Sequence, residues 1–509
     1  MLNKTILKPL MTALFGSWLG CFALASAKPN LSSSDPPRKL NVLFIAIDDL
    51  RPQLGCYGDD VVSSPHLDQL AARSMVFDRA YCQMALCSPS RTSLLTGLRP
   101  DTTGVFDLTT HFRDQKPNAV TLPQLFKQHG YRSLGFYKIF HLIPTDPRAF
   151  GNMDDPPSWS DPLWLPTRSV YGPKGDALRQ RKLEEMARDG IKMDYTNIPR
   201  GYSIEAPTLP DEQLADGETA QQAIQTLRAV KDQPFFLAVG FYKPHLPFIA
   251  PKPYWDRYDR TRLRLPTDRQ PPTNAPAYAL QRFAELRNYV DFPADRDLTE
   301  AEQITLLHGY LACISFVDAQ VGKLLAELDR LKLRDSTIVV VWGDNGYQIG
   351  EHDMWATKHT NYETSARVPL IISVPGRGFV PGKTKALVEL VDVYPSLAKL
   401  CGLPAPDKLE GKSLVPLLKN PKLRWKQAAF SQYTKQIPGQ GKGMGRAMRT
   451  DRYRLVEWSV SGKAFSEYEL YDHQTDPHEN HNLARQPDRQ QLLTKLIRQL
   501  QAGWRVASK

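Results

Sequence analysis

The most specific chemical signal in the sequence is a cysteine, a proline and an arginine at alternate positions. Cys87, Pro89 and Arg91 form the pattern C-x-P-x-R, and residues 92–97 continue it as the start of an apolar helix. The chain has six cysteines at sparse and irregular positions, which is not the pattern of a disulfide framework. Five of them follow residue 27. At least one thiol is therefore unpaired, and in an oxidising compartment such a thiol requires an explanation.

Two acidic clusters follow two apolar runs that are predicted to be buried strands. Asp48 and Asp49 come after the first run, and Asp344 and Asn345 come after a run that ends near residue 342. In an open α/β sheet both clusters would lie at the carboxyl edge, where ligands bind. Carboxylate and amide oxygens suit Ca²⁺ or Mg²⁺. A divalent-cation site is therefore predicted from these four residues.

Basic residues in three short blocks are candidates for charge stabilisation and proton transfer. Transfer of an anionic group develops charge on its oxygens, so a site for that chemistry needs fixed cations and a proton donor. Taken singly, each of these residues would more often be a surface or core residue. The candidates are Lys138, His141, Lys243, His245 and Lys358. Three further histidines are interpreted as structural or rim residues: His308, His352 and His359.

The elements that must position these residues alternate between strands and helices. Short, almost continuous apolar runs predict strands that are buried on both faces, as in a parallel sheet covered by helices. The clearest helix spans residues 299–331, where Thr299 and Glu302 form a capping-box pair before an apolar stripe. This alternation predicts an α/β domain. The predicted strands are residues 41–47, 234–240, 337–342 and 369–374.

Two long segments and the end of the chain have a different character. Residues 142–210 and 246–298 are rich in Pro, Trp, Tyr and Asp and show little periodicity, so we interpret both as rim loops around the site. Beyond Pro404 the chain is more polar, which favours a smaller C-terminal α+β subdomain. Its predicted elements are strands at residues 428–433 and 453–459 and a closing helix at 490–504. The predicted domains are residues 38–404, catalytic, and 405–509, C-terminal.

The N-terminus has the pattern of a signal peptide. Lys4 and Lys8 precede an apolar run at residues 11–24, and Ala-Ser-Ala at 25–27 is a cleavage pattern. A signal peptide of residues 1–27 predicts export to the periplasm or the medium, with a lipoprotein anchor at Cys21 as the weaker alternative. No later run of eighteen apolar residues occurs, so no transmembrane segment is expected in the mature chain.

The composition is that of a soluble globular enzyme, with 41% hydrophobic and 23% charged residues. The formal net charge of +11 suits an anionic substrate such as a sulfated glycan. It suits nucleic acid equally well on charge alone. The sequence contains no basic helix, zinc-ligand spacing or aromatic RNA-binding motif, so no nucleic-acid partner is expected.

The block of residues 87–97, C-S-P-S-R-T-S-L-L-T-G, resembles the signature of the type I sulfatases. The resemblance covers roughly residues 38–505 and is closest to the iduronate-2-sulfatase group, through residues 235–248, 321–325, 350–352 and 368–371. It implies an alkaline-phosphatase-like mixed sheet sandwiched by helices. It also implies that a formylglycine-generating or other sulfatase-maturing enzyme converts Cys87 to formylglycine (3-oxoalanine), which explains the unpaired thiol.

The resemblance also implies a ligand set for the metal. One Ca²⁺, or less favourably Mg²⁺, would be held by Asp48, Asp49, Asp344, Asn345 and the modified Cys87. Many family members carry histidine where this chain has Asn345, and both types occur. The reaction implied is hydrolysis of a sulfate ester, with a formylglycine gem-diol as the nucleophile.

The remaining roles follow from the same resemblance. Arg91 would steady the gem-diol, while Lys138 and Lys358 would neutralise the sulfate oxygens. His245 would protonate the departing sugar oxygen and His141 would remove the second hydroxyl proton. Lys243 would be a further substrate-binding residue. The family lysine usually follows glycine, whereas residue 137 is tyrosine here.

The sequence leaves the substrate open. A uronate 2-O-sulfate of a glycosaminoglycan is expected first, and a sulfated algal polysaccharide second. Two other functions remain open at this point. One is a phosphoesterase or phosphonate hydrolase of the same superfamily, and the other is a catalytically silent, glycan-binding homologue whose Cys87 stays a thiol.

Overall fold

Alternating strands and helices make up most of the chain. The computed structural model describes residues 39–142, 153–193, 197–282, 285–293, 295–376 and 378–508. The strands in these ranges are β1 (Asn41–Ile47), β2 (Met75–Tyr81), β3 (Arg132–Tyr137), β4 (Ile204–Glu205), β5 (Phe235–Phe241), β6 (Phe248–Ile249), β7 (Thr337–Gly343), β8 (Gln348–Ile349), β9 (Trp355–Thr357), β10 (Arg367–Val368), β11 (Leu370–Ser373), β12 (Gly382–Glu389), β13 (Ala428–Ile437), β14 (Gly441–Thr450), β15 (Tyr453–Ser459) and β16 (Ser466–Asp472). The α-helices are α1 (Pro65–Ala71), α2 (Cys87–Thr96), α3 (Pro100–Thr103), α4 (Phe112–Gln115), α5 (Leu122–Gln128), α6 (Pro173–Arg188), α7 (Ala215–Val230), α8 (Lys252–Trp255), α9 (Glu300–Arg330), α10 (Glu363–Ala366), α11 (Val393–Leu400), α12 (Val415–Lys419) and α13 (Gln490–Ala507).

Eight strands form one mixed sheet. Its order is β10-β2-β11-β7-β1-β5-β3, and β12 pairs with β2. Strands β3, β5, β1 and β7 are parallel to one another, whereas β11 is antiparallel to both β7 and β2. Parallel neighbours require long crossover connections, and helices supply them here. The expected α/β architecture is confirmed.

Strand β1 lies in the interior of this sheet and is buried along its whole length. Leu43 and Ile45 pack in the core that α1, α7 and α9 cover, whereas Val42 and Phe44 pack in the core that α2, α5, α11 and α12 cover. A strand with apolar side chains on both faces needs helices on both sides. The continuous apolar run at residues 41–47 therefore requires helices on both faces of the sheet.

The long helix α9 forms close to its predicted bounds. The Thr299 hydroxyl accepts from the backbone N–H of Glu302 at 3.3 Å, and the Glu302 carboxylate accepts from the Thr299 N–H at 2.7 Å. Within the described residues, α9 is the one helix long and apolar enough to cross a membrane, and 78% of its apolar window is buried inside the protein. Its apolar stripe is therefore accounted for by packing in the core.

The C-terminal part forms the expected α+β subdomain. Strands β13 to β16 make one antiparallel sheet in sequence order. Leu493, Leu496 and Leu500 of α13 pack with Met448 and Leu455 of this sheet. Strands β14 and β16 were not predicted. The domain boundary at residue 404 stays a prediction.

Residues 142–210, interpreted as a rim loop, contain a helix that was not predicted. Helix α6 (Pro173–Arg188) lies inside this segment, and most of its side chains are at least partly exposed. Because α6 is polar around most of its surface, it carries no apolar stripe that the sequence could reveal. The rest of that segment includes residues 143–152 and 194–196, which lie outside the described residues, as do the predicted signal peptide and Cys21.

One glycine allows two backbone segments to approach closely beside the sheet edge. A Cβ atom on Gly240 of β5 would lie 2.2 Å from the carbonyl oxygen of Lys138, the residue that follows β3. This neighbouring atom belongs to the backbone, so a side chain at position 240 would displace the chain at residue 138.

We therefore expect Gly240→Ala to lower the free energy of unfolding by about 1–3 kcal/mol, the usual cost of overpacking. Equilibrium denaturation of the variant beside the parent protein measures this. Gln221→Ala, at an exposed position of α7, is the control and should leave the midpoint unchanged. An unchanged midpoint for Gly240→Ala would contradict the close approach.

Candidate active site

Two neighbouring strands deliver the acidic residues to one edge of the sheet. β1 and β7 are parallel and in register, with Ile47 beside Gly343, so the residues that follow each strand meet. The backbone N–H of Asp49 donates to Asp344 Oδ1 at 3.0 Å across 295 positions of sequence. Asp48, Asp49 and Asp344 are all completely buried. The structure thus brings together the two acidic clusters that the sequence singled out.

Cys87 is the first residue of α2 and faces this acidic edge. Its Sγ lies 3.2 Å from Asp48 Oδ1 and 3.3 Å from Lys358 Nζ. The sulfur and one oxygen each from Asp48, Asp49 and Asp344 lie within 4.8 Å of one another. None of the five cysteines in the described part of the chain forms a disulfide. Residue 87 therefore lies at the centre of the charged cluster.

Arg91 joins the elements that surround this cluster. Its side chain is completely buried. Nε donates to Asp344 Oδ2 at 2.8 Å and Nη2 donates to Asp48 Oδ1 at 3.2 Å. Nη1 donates to the backbone carbonyl of Lys138. One guanidinium on α2 thus connects the ends of β1, β7 and β3.

Two lysines neutralise the remaining carboxylate oxygens. Lys138 Nζ forms an ion pair with Asp48 Oδ2 and lies 4.6 Å from the ring centre of Tyr242. Lys358 Nζ lies 2.6 and 2.8 Å from the two oxygens of Asp49. Both predicted lysines therefore lie in the cluster, each bound to a different aspartate.

Burial and charge act against each other in this cluster. Burial raises the pKa of the Cys87 thiol well above its ordinary value, and Asp48 raises it further. Burial also raises the pKa of Asp49 to about 7, although the Lys358 charge opposes the rise. For Asp48 the burial effect is outweighed by the charges of Lys138, Arg91 and Lys358, so its pKa lies well below the ordinary value. An unmodified Cys87 is thus held as a thiol, which is a poor nucleophile.

Asn345 shows that the cluster fits a hard cation. Its Nδ2 donates to Asp49 Oδ1 at 2.7 Å and to the Gly346 carbonyl at 2.9 Å. Its Oδ1 is buried and accepts no hydrogen bond from the described residues. A buried amide oxygen without a partner is unusual in a folded protein. Beside three carboxylates it completes an oxygen donor set of the kind that Ca²⁺ or Mg²⁺ prefers.

Two predicted histidines line the same cavity with free ring nitrogens. Both nitrogens of His141 are buried and have no hydrogen-bond partner among the described residues. Nδ1 of His245 lies 2.7 Å from the Leu246 carbonyl, which can only accept, so Nδ1 carries the proton. Burial lowers the pKa of His245 to about 3, with Lys358 adding to the effect, and lowers that of His141 well below its usual range.

Lys243 does not lie where substrate binding would place it. Its ammonium is buried and donates to the carbonyls of Val170 at 3.1 Å and Pro247 at 2.6 Å. It is absent from the lining of the cavity that holds the other candidates. A lysine that donates to two loop carbonyls links those loops. Its position therefore supports a structural role instead of the predicted substrate binding.

A cavity of about 330 Å³ opens above Cys87. Both segments that were interpreted as rim loops contribute to it, and so does His359. His308 instead bonds the Trp255 carbonyl at 2.9 Å, which agrees with a structural role. The lining residues are Cys87, Leu108, Lys138, His141, Leu142, Tyr171, Ile198, Arg200, Tyr242, His245, Gln281, Glu285, Asn288, Tyr289, Lys358 and His359.

Several lining residues were not identified from the sequence. Arg200 pairs with Glu285, and the Tyr289 hydroxyl donates to the same carboxylate at 3.2 Å. Glu285 Oε2 lies 3.6 Å from His245 Nε2. These residues come from the segments without periodicity, where a single charge or tyrosine carries no pattern. The only signal was the loop composition itself.

The family models and the relatives that match this sequence agree on one family. The sulfatase family model matches residues 40–403, and the model of the N-sulphoglucosamine sulphohydrolase C-terminal region matches residues 350–505. Iduronate 2-sulfatases of Mus musculus and Homo sapiens are both 35% identical to this chain. The alignments cover 92% of this chain in each case, and 94% and 95% of the mouse and human proteins.

Solved structures agree with the fold. The phosphonate monoester hydrolase of Agrobacterium radiobacter superposes with a TM-score of 0.73 at 23% identity, covering 91% of this chain and 95% of that one. A structure described as BT4656 bound to D-glucosamine-2-N,6-O-disulfate has a TM-score of 0.70 at 22% identity, with coverages of 92% and 98%. At these identities the likeness shows the shared alkaline-phosphatase-like architecture.

Removing the central guanidinium should destabilise the protein. Arg91→Met would leave Asp48 and Asp344 buried without their shared partner, so we expect the free energy of unfolding to fall by about 3–5 kcal/mol in metal-free buffer. Denaturant unfolding measures the change. Arg181→Met, at an exposed position of α6, should change it little. Equal stability of both variants would contradict the role assigned to Arg91.

Proposed function

We propose that this chain, which belongs to the sulfatase family and is a sulfuric ester hydrolase, removes sulfate from a sulfated saccharide. The substrate we propose is a uronate 2-O-sulfate of a glycosaminoglycan. The observation that carries the proposal is the convergence at Cys87, where three carboxylates meet at the floor of a cavity that also holds Lys138 and Lys358.

In the proposed site, the residues that neutralise the sulfate charge differ from those that transfer protons. Lys138 and Lys358 are the cations beside residue 87 and would neutralise sulfate oxygens. A sulfate ester carries one negative charge, which two buried ammonium groups can compensate. Arg91 stays on the other side of the carboxylates and fixes their positions.

The histidines are placed for proton transfer on the cavity side. Nε2 of His245 is the nitrogen not used by the Leu246 carbonyl. His245 is neutral in the empty site, so it would act as the acid once the bound sulfate anion raises its pKa and Nε2 takes up a proton, which can then pass to the departing sugar oxygen. His141 has no competing hydrogen bond from the described residues, so its ring is free to take a proton from residue 87. One histidine thus serves as the acid and the other as the base.

Two groups absent from the polypeptide complete the proposed site. A formylglycine at position 87 would supply, as its hydrate, a hydroxyl nucleophile that the buried thiol does not. Ca²⁺ would supply Lewis-acid polarisation of the sulfate. Asp48, Asp49, Asp344 and Asn345 would hold the cation together with residue 87. A sulfatase-maturing enzyme would act on the chain before it folds around Cys87, because the folded site buries that residue.

The substrate proposal rests on the relatives and on the cavity. The relatives that are 35% identical are iduronate 2-sulfatases. A cavity of about 330 Å³ is within the range of small-molecule sites. An ulvan-active sulfatase of Formosa agariphila, 28% identical over 93% of this chain and 83% of that protein, supports a sulfated algal polysaccharide as the second candidate.

We also propose that the chain is exported to the periplasm or the medium. The basic and apolar pattern of residues 1–27 supports this.

Loss of residue 87 should abolish catalysis without unfolding the protein. We expect Cys87→Ala to lower aryl sulfate turnover at least about 10⁴-fold, because it removes the nucleophile. Cys82→Ala is the matched control, since Cys82 is equally buried but packs in the core, and it should retain most activity. Substantial turnover by Cys87→Ala, or an aryl phosphate rate well above the aryl sulfate rate in the parent enzyme, would refute the proposal.

Calcium binding should depend on the Asn345 amide oxygen. We expect chelator-treated protein to gain thermal stability on adding Ca²⁺, because the cation binds only the folded state. Asn345→Ala should need at least about tenfold more Ca²⁺ for the same shift in Tm. Asn420→Ala, at an exposed position, should behave like the parent protein. A calcium response unaltered by Asn345→Ala would exclude this ligand.

A further inference from the structure

Glu285 presents a carboxylate oxygen to the part of the cavity that the saccharide must occupy. Its Oε1 is engaged, because Arg200 Nη1 and the Tyr289 hydroxyl both donate to it. Its Oε2 accepts no hydrogen bond from the described residues and lies 3.6 Å from His245 Nε2. The side chain is 21% exposed, into the cavity that it lines. Glu285 therefore has one oxygen fixed and one available.

The surroundings keep this carboxylate in place and ionised. The Arg200 guanidinium lies 5.0 Å from the ring centre of Tyr289, so both partners of Oε1 also contact each other. Burial raises the pKa of Glu285, but the charges of Arg200 and Lys358 and the hydrogen bond from Arg200 outweigh it and bring the pKa to about 2. The available oxygen is thus a preorganised hydrogen-bond acceptor that carries negative charge.

The position of His245 relates this acceptor to the substrate. Under the proposed function, His245 Nε2 marks where the ester oxygen leaves. Glu285 Oε2 lies 3.6 Å from that nitrogen. An acceptor so close to the departing ester oxygen is within reach of a hydroxyl on the ring carbon next to the sulfated one.

We propose that Glu285 is a specificity-determining residue, which accepts a hydrogen bond from a free hydroxyl group vicinal to the sulfate ester. The inference rests on the proposed function and narrows its substrate class to saccharides with an unsubstituted hydroxyl beside the sulfated carbon. A second sulfate at the vicinal position would lie against the Glu285 carboxylate, and two anions in contact in a buried site are strongly unfavourable. Arg200 and Tyr289 act as positioning residues for this carboxylate.

Three matched saccharides, each assayed with the parent enzyme and with variants, test this inference. The substrates are a uronate 2-O-sulfate with a free 3-hydroxyl, its 3-deoxy analogue and its 2,3-di-O-sulfate. The enzymes are the parent protein and Glu285→Gln, with Glu184→Gln at an exposed position of α6 as the control variant. An aryl sulfate without a vicinal hydroxyl reports on the chemistry alone.

We expect the parent enzyme to prefer the free-hydroxyl substrate over both analogues by about 10- to 100-fold in kcat/KM, the effect of one charged hydrogen bond. Glu285→Gln should lose a similar factor on that substrate and should discriminate less against the disulfate. Its aryl sulfate kcat/KM should fall by a clearly smaller factor, because that substrate has no vicinal hydroxyl, whereas all activities of Glu184→Gln should stay within about twofold of the parent values. Tyr289→Phe should shift the same preference in the same direction by a smaller factor.

Two results would overturn the inference. One is an equal loss by Glu285→Gln on the aryl sulfate and on all three saccharides, which would place Glu285 in the chemistry or the fold instead of in hydroxyl recognition. The other is equal kcat/KM of the parent enzyme for the free-hydroxyl and 3-deoxy substrates. Failure of the proposed function is a separate outcome, recognised by the absence of aryl sulfate turnover in the parent enzyme.

Discussion

Three buried carboxylates opposed by three buried cations at one edge of the sheet are the interaction on which the rest of the structure depends. Asp48, Asp49 and Asp344 meet Arg91, Lys138 and Lys358 with almost no solvent exposure on either side. Each of these groups would be costly to bury alone, since desolvation of a charge exceeds any single pairing gain unless the geometry is nearly complete. The cluster is stable only if β1, β7, α2 and the chain after β3 reach their places together. Folding of the sheet and assembly of the site are therefore coupled in this protein.

The requirements of that cluster explain features that packing alone does not. β1 and β7 are adjacent and in register, which places their terminal acids side by side. Cys87 begins a helix instead of lying inside one, so its side chain reaches the acids while Arg91, one turn later, passes behind them. Gly240 lets the Lys138 backbone approach β5. Among the described residues, the Asn345 amide oxygen is buried without a hydrogen-bond donor, which supports the proposed metal ion.

Much of this could be predicted from the sequence, for reasons that differ between elements. The predicted strands at residues 41–47 and 337–342 agree with β1 and β7 to within one residue, because both are uninterrupted apolar runs, and the long helix α9 follows from its capping box and apolar stripe. The acids and Cys87 stand at recognisable positions after strands or inside a motif.

Arg200 and Glu285 could not be predicted, because their partners come from two aperiodic segments and only the folded chain brings them together. The sequence could not show that the Lys243 ammonium bonds two loop carbonyls, because closeness to His245 in sequence does not decide where a long side chain ends. Helix α6 was missed because a helix exposed on most sides has no apolar stripe.

The proposed chemistry depends most on the state of residue 87, since a buried thiol surrounded by carboxylates is a poor nucleophile. The most direct measurement is the mass of the tryptic peptide of residues 80–91, which follows Arg79 and ends at Arg91, from enzyme of known specific activity. If residue 87 is formylglycine, sulfur in this peptide is replaced by oxygen with loss of two hydrogens, in a fraction that rises with specific activity. A fully active preparation in which residue 87 is an unmodified cysteine would contradict the proposed chemistry.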